Sequence, residues 1–207
     1  MRRVLPILFN TEMVRAILDG RKSCTRRTVK GYIPNDAKWG YTAFTPKGCI
    51  SCRGTFADGY GEKFFKLPCE PRDILYVRET WGYPIALNSD EQYVFRADEV
   101  AESGFKNDSH IWHPSIHMPK EAARIWLKVT DVRVERLQEI SAEGALAEGA
   151  GKYIHTNGGL DENMTITSFI GIWNSTIKKT DLDRYGWDTN PWVYVIEFER
   201  CEKPEGM

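Results

Sequence analysis

IWLKVTDVRVE, residues 125–135, alternates apolar and polar side chains in one phase and then in the other: Ile125, Leu127 and Val129 are followed by Val132 and Val134. Side chains on a strand repeat every two residues, so a change of phase turns apolar groups to the wrong face unless an extra residue is inserted. The spacing predicts a bulge or sharp bend near Thr130 and Asp131, a feature common where sheets curl into barrels.

The neighbouring stretches supply partners for this strand. ILYVRETW (74–81) follows the turn residues 71–73 and reads as a strand, with EQYVFRAD (91–98) as its neighbour in a long-looped hairpin. WVYVIEFER (192–200) is apolar on both faces at first and alternates later, as in a strand running from core to water. Near the start, VLPILF (4–9) reads as a buried strand too short to be a signal peptide. A helix follows it. Met13, Val14, Ile17 and Leu18 make its apolar stripe, Asn10 or Thr11 its cap, and Gly20 its left-handed stop. SAEGALAEG (141–149) reads as a second helix between Ser141 and Gly149, and SFIGIWNST (168–176) as a third that buries Phe169, Ile172 and Trp173. Residues 31–70 show many Gly, Pro and aromatic residues with little period and read as an excursion from the core, and 201–207 as a frayed tail. The sum is an α+β fold around a small curled sheet, one domain over 1–200 with insertions at about 31–70 and 150–166.

The totals narrow the function. A chain of 207 residues can bury a core without disulfides. With 28 Lys+Arg against 29 Asp+Glu it is not a purely electrostatic nucleic-acid binder, so any such contact is a local patch. Five scattered cysteines suit reduced thiols and a cytoplasmic setting. No apolar run approaches the ~20 residues of a membrane span.

GRKSCTRR (20–27) carries the most information about chemistry. It resembles the signature of the ASCH family, small barrels related to the PUA RNA-binding fold, whose motif is Gly-x-Lys-x-x-Glu-x-Arg with Thr often in place of Glu. Gly20, Lys22, Thr25 and Arg27 fill that motif in its Thr form. PRDILYVRETW (71–81), WHPSIHMP (112–119), ARIWLKVTDVRVERLQEIS (123–141) and WDTNPWVYVIEF (187–198) are similar to the longer ASCH proteins of phages and prophages. The resemblance implies a PUA-like barrel of about five to six mostly antiparallel strands flanked by short helices. It also implies an activity, since one branch of the family hydrolyses the amide of acetylcytidine with a Lys, a Thr and a Glu. Carried over, these are Lys22, Thr25 and Glu148.

The trio makes chemical sense. A threonine hydroxyl needs a base to become a nucleophile, and a lysine in apolar surroundings can be neutral enough to serve. A carboxylate at a helix carboxyl end faces the negative pole, which favours its protonated form and suits an acid/base role. In a regular strand residues 22 and 25 point to opposite faces, so the trio requires an irregular backbone at 22–24. Plainer readings exist for each: Lys22 as a solvated lysine, Thr25 as a strand residue, Glu148 as an exposed helix end.

Arg26, Arg27 and Arg78 with Trp81 and Trp112 offer phosphate contacts and a stacking platform for a modified nucleoside or single-stranded RNA. Surface arginines and buried tryptophans are the plainer reading of the same set. His117 and Glu79 complete the binding candidates; Glu79, in phase with Leu75 and Val77, is the reserve carboxylate for Glu148. Pro114 argues against a helix that would aim His113 and His117 at one metal. Cys49, Cys52 and Cys69 lack a fourth ligand, so no metal and no cofactor is expected. A non-catalytic RNA-binding module and a metal-free ribonuclease are the alternatives that use the same basic cleft.

Overall fold

The bulge expected near Thr130 is present and organises the sheet. In the computed structural model, which describes residues 3–84, 92–99, 111–155 and 157–205, Asp131 pairs with Glu197 and Val129 with Phe198, leaving Thr130 as the extra residue. The insertion absorbs the change of phase. Leu127, Val129 and Val132 therefore all enter the same apolar cluster, with Val134 packed against it.

In chain order the elements are β1 Val4–Leu8, α1 Thr11–Leu18, β2 Cys24–Thr28, β3 Lys38–Gly40, β4 Cys49–Phe56, β5 Gly59–Lys66, β6 Ile74–Arg78, β7 Trp81–Gly82, β8 Val94–Phe95, β9 Trp126–Arg136, α2 Ala142–Ala147, α3 Glu162–Thr176, α4 Leu182–Tyr185 and β10 Trp192–Cys201. The fold is α+β. Its main sheet has the order β1-β6-β9-β10-β2, with β1 parallel to β6 and the remaining pairs antiparallel. One face carries Ile7, Leu75, Val77, Leu127, Ile196 and Phe198 against Val14 and Ile17 of α1. Each of those two helix residues is fully buried, which contributes about 1.5–3 kcal/mol apiece. The other face packs Cys24, Val193 and Val195 against α2 and α3 at one end, and Ile74, Tyr76 and Trp126 against Trp81 and Met118 at the other.

Four expectations need correction. The sheet is not a closed barrel: among the described residues β1 and β2 are its two edges, and Pro6, with no N–H to donate, suits an edge strand. Across that gap Arg27 Nη2 donates to the Leu8 carbonyl at 2.7 Å. Second, the segment 91–98 is not the neighbour of β6, because β1 and β9 already occupy both its edges. Only Trp81–Phe95 and Gly82–Val94 pair, as the ribbon β7–β8; Glu91 lies outside the described residues.

Third, residues 31–70 are not an excursion from the core, since Ile50, Leu67 and Cys69 belong to its main apolar cluster. They form the antiparallel meander β3-β4-β5, which buries Ile50 and Cys52 and sets Trp39 edge-on to Trp192 at 5.7 Å. Fourth, the helix begins at Glu162, not Ser168, with Asp161 accepting from the Met164 N–H as its cap. The start and stop of α1 and α2 are as expected: Asn10 and Ser141 cap them, and Gly20 and Gly149 follow with φ of 72° and 90°. No helix among the described residues is long and apolar enough to cross a membrane.

Candidate active site

The chain between α1 and β2 is tied to the end of α2. After Gly20 the N–H groups of Arg21 and Lys22 both donate to the Ala16 carbonyl, at 2.8 and 2.9 Å, folding the chain back on the helix. Ser23 N–H then donates to the Ala147 carbonyl, and Lys22 forms an isolated antiparallel bridge with Glu148, before β2 begins at Cys24. The backbone is thus irregular at 22–23. Glu148 is the carboxyl-terminal cap of α2. Gly149 follows where a Cβ would come within 3.0 Å of Ala16 and 3.6 Å of Lys22, so a glycine at that point lets α1, α2 and the lysine converge.

Lys22 is buried, and its ammonium donates to Glu148 Oε2 at 2.6 Å, the Glu148 carbonyl at 2.9 Å and the Cys24 carbonyl at 2.7 Å. An ammonium has three N–H groups, and these bonds use all three. The Lys22 and Glu148 side chains are 0% and 4% exposed. Burial lowers the Lys22 pKa from the ordinary lysine value, against the opposing pull of Glu148. Burial also pushes the adjacent Cys24 thiol up to about 12, which leaves it a protonated packing group.

Arg26 approaches the same carboxylate from the other side. Its Nη1 lies 3.3 Å from Glu148 Oε1, and its Nη2 donates to Glu135 Oε1 at 2.7 Å. Arg133 continues the chain of charges, reaching Glu135 at 3.2 Å, Asp131 at 3.1 Å and Glu197 at 2.5 Å. Arg26 is itself buried, beneath the ring of Phe169, so its guanidinium orients Glu148 instead of facing solvent. Glu135 was not among the sequence candidates. The signal for it was the alternation Arg133-Val134-Glu135, which places two charges on one face of β9, the face of Cys24 and Arg26 across the sheet.

Thr25 is buried in β2 opposite Ile196 and shares a strand face with Arg27. Arg27 and Lys22 both lie over the ring of Phe9, with centroid distances of 5.4 and 5.6 Å. Among the described residues no hydrogen bond joins Lys22 to Thr25; the nearest link is the Cys24 carbonyl, in the peptide bond that leads into Thr25. Glu148 and Gly149 also line a cavity of about 150 Å³ between α1 and α3, with Asn10, Met13, Ile172 and Ser175.

The remaining candidates lie elsewhere. Glu79 is buried and held by both arms of Arg124, at 2.9 and 3.0 Å, and Arg124 also reaches Asp98 at 2.7 Å. Burial raises the Glu79 pKa, with Arg124 pulling against it. Arg78 donates to the Ile116 carbonyl and lies over Tyr76. Trp81 is buried among Tyr83, Tyr93 and His113. Trp112 lines a separate cavity of about 530 Å³ with Phe95 and Arg124, and His117 is exposed in a short 3-10 turn. These five are not gathered around the Lys22–Glu148 pair. Cys49 and Cys52, three apart on β4, point to opposite faces, and among the described residues no three His, Cys, Asp or Glu side chains come together as a metal site would require. Comparison with protein-family models, with curated proteins and with solved structures finds no match to this chain.

Proposed function

We propose that this chain is an ASCH-type amide hydrolase that removes an acyl group from the exocyclic nitrogen of a cytidine nucleoside, in a cytoplasmic setting that its free thiols suit. The observation that carries the reading is the Lys22–Glu148 contact at 2.6 Å, withdrawn from water, with buried Thr25 next to the carbonyl that Lys22 already touches; of the three, Glu148 lines the adjoining cavity and Lys22 and Thr25 stand behind its wall. At about 150 Å³ the cavity is below the ~300–1,000 Å³ of drug-sized sites. It takes an acyl group or a single ring, not a whole nucleoside.

The chemistry follows from burial. Burial lowers the proton affinity of Lys22, and the reading requires one proton to pass from Nζ to the carboxylate in front of it, which gives a neutral amine and a neutral acid. The amine takes the Thr25 hydroxyl proton as that oxygen bonds to the acyl carbon. Glu148 gives its proton to the nucleoside nitrogen as the C–N bond breaks, releasing cytidine and leaving an ester on Thr25. Water then attacks the ester and gives its proton to the Glu148 carboxylate. The Lys22 ammonium returns its proton to Thr25 as the ester C–O bond breaks. Arg26 keeps the carboxylate in place throughout.

The test is incubation of the purified protein with acetylcytidine and chromatographic detection of cytidine. Turnover is expected from the wild type, with partial retention in Thr25→Ser and loss in Thr25→Val, which keeps the shape and removes the hydroxyl. Absence of cytidine with the wild type refutes the reading.

A further inference from the structure

The meander β3-β4-β5 packs one face on the core and leaves the other open. Cross-strand pairing puts Lys38 beside Arg53, Arg53 beside Glu62, Ser51 beside Phe64, Thr55 beside Tyr60 and Cys49 beside Lys66. Because side chains alternate, Lys38, Arg53, Tyr60, Glu62, Phe64 and Lys66 share the outward face. Tyr60 is 73% exposed and Phe64 41%. Glu62 accepts from the hydroxyls of Ser51 and Thr42, and the second contact holds the turn at 42–45 against this face. That turn carries Phe44, 81% exposed.

Two features of this face suit an anionic ligand that carries rings. Among the described residues Lys38, Arg53 and Lys66 form no salt bridge, although Arg53 stands across from Glu62, and the Thr55 hydrogen bonds, helped by Lys38, hold the pKa of Asp36 below the usual carboxylate value. Its carboxylates point their oxygens at local donors, Glu62 at two hydroxyls and Asp36, at the edge, at the N–H and hydroxyl of Thr55, and the three cations outnumber them. Its rings are also left in water, where burial of either would be favourable. Tyr60 and Phe64, four residues apart on one strand, stand roughly 13 Å from each other, too far to grip a single ring.

We propose that this outward face binds single-stranded nucleic acid, with Tyr60 and Phe64 stacking two separate bases and Lys38, Arg53 and Lys66 contacting the intervening phosphates. Three cations on one face, in excess over its acids, complement a polyanion, and exposed rings take bases only where those bases are unpaired. A duplex keeps its bases stacked internally and presents no free ring faces. The surface lies on the insertion at 31–70, apart from Lys22, Thr25 and Glu148, and it does not depend on amide hydrolysis.

Fluorescence anisotropy with labelled oligouridylate and oligothymidylate tests this on the full chain, with a duplex and polyglutamate as competitors. Tyr60→Ala and Phe64→Ala are each expected to weaken single-strand binding about tenfold, and Tyr60→Phe to preserve it. Arg53→Glu should weaken binding and flatten its salt dependence. Comparison of the two oligonucleotides distinguishes RNA from DNA as the preferred strand. Circular dichroism and turnover of acetylcytidine are expected to be unchanged in the two alanine variants, because both rings are outside the core. No binding by the wild type, equal affinity for the duplex, displacement by polyglutamate as effective as by oligonucleotide, or alanine variants that bind like the wild type would each overturn the proposal.

Discussion

Lys22 and Glu148 are joined twice: the Lys22 ammonium donates to the Glu148 carboxylate at 2.6 Å and to its main-chain carbonyl at 2.9 Å. The second bond satisfies a carbonyl at the end of α2 that the helix leaves without a partner, and it sets a cation against the negative helix pole. One side chain therefore caps a helix, neutralises its terminal carboxylate and fixes the entry of β2.

Removing the carboxylate exposes how much rests on this contact. Glu148→Ala leaves a buried ammonium with carbonyl partners only and is expected to cost about 3–5 kcal/mol in urea denaturation. Lys22→Met combined with Glu148→Leu removes both charges and should recover much of that loss, since apolar replacements of buried pairs are often neutral. A Glu148→Ala cost below about 1 kcal/mol, the range of a solvent-exposed pair, would contradict the burial.

Glu79 and Arg124 form a second, independent pair. Arg124→Ala strands a buried carboxylate whose pKa already lies above 4.5. Between 4.5 and the raised folded value the native state binds more protons than the unfolded one, so stability falls as pH rises through that window. Losing Arg124 raises the folded value further and extends the window upward. Relative to the wild type, Arg124→Ala is expected to lose progressively more stability as pH rises above 4.5, measured by thermal melts from acid to neutral pH.

What could be read from the chain followed from how strongly each pattern constrains the backbone. The phase change at Thr130 was legible because only an extra residue reconciles Val129 and Val132 with one core. The caps of α1 and α2 were legible because Asn10, Gly20, Ser141 and Gly149 act locally. The meander was not: β5 is exposed at most positions, so it shows no clean alternation, although the Asp58-Gly59 turn between Phe56 and Tyr60 was a hairpin signal. In the first turns of α3 the apolar Met164 is exposed and the fully buried residue is the polar Thr165, so no apolar stripe marks the start of the helix. For the candidate site, local sequence marks the turn at Gly20 and the cap at Glu148. Their meeting depends on the packing of α1 against the end of α2, and Arg26 with Glu135 is a cross-strand relation that spacing alone does not disclose.

Tyr194 supplies a test at alkaline pH. Its hydroxyl donates to the Lys66 carbonyl at 3.1 Å, linking β10 to the meander, and burial pushes its pKa up to about 12 from the usual 10. A folded value above the unfolded one means that the contribution is intact below pH 10 and is lost as pH rises from about 10 toward 12. The wild type should lose more stability over that interval than Tyr194→Phe, which has no hydroxyl to titrate. Parallel curves for the two proteins would show that Tyr194 is not buried as described.

Two glycines give opposite expectations for the same substitution. Gly149 has φ of 90°, and a Cβ there would meet Ala16 Cβ at 3.0 Å and crowd Lys22. Gly149→Ala combines left-handed strain of roughly 1–2 kcal/mol with a push against α1 that separates the helix from Lys22. It should lower the melting temperature by several degrees and, if the amide hydrolase reading holds, reduce turnover as well. Gly171 lies on the exposed side of α3 with nothing within 4 Å of a Cβ. There alanine improves helix propensity and restricts the unfolded chain, so Gly171→Ala is expected to stabilise by about 0.5–1 kcal/mol. Differential scanning calorimetry of both variants against the wild type measures the contrast. Equal shifts would mean that the close approach of Ala16 and Lys22 to Gly149 does not hold in solution.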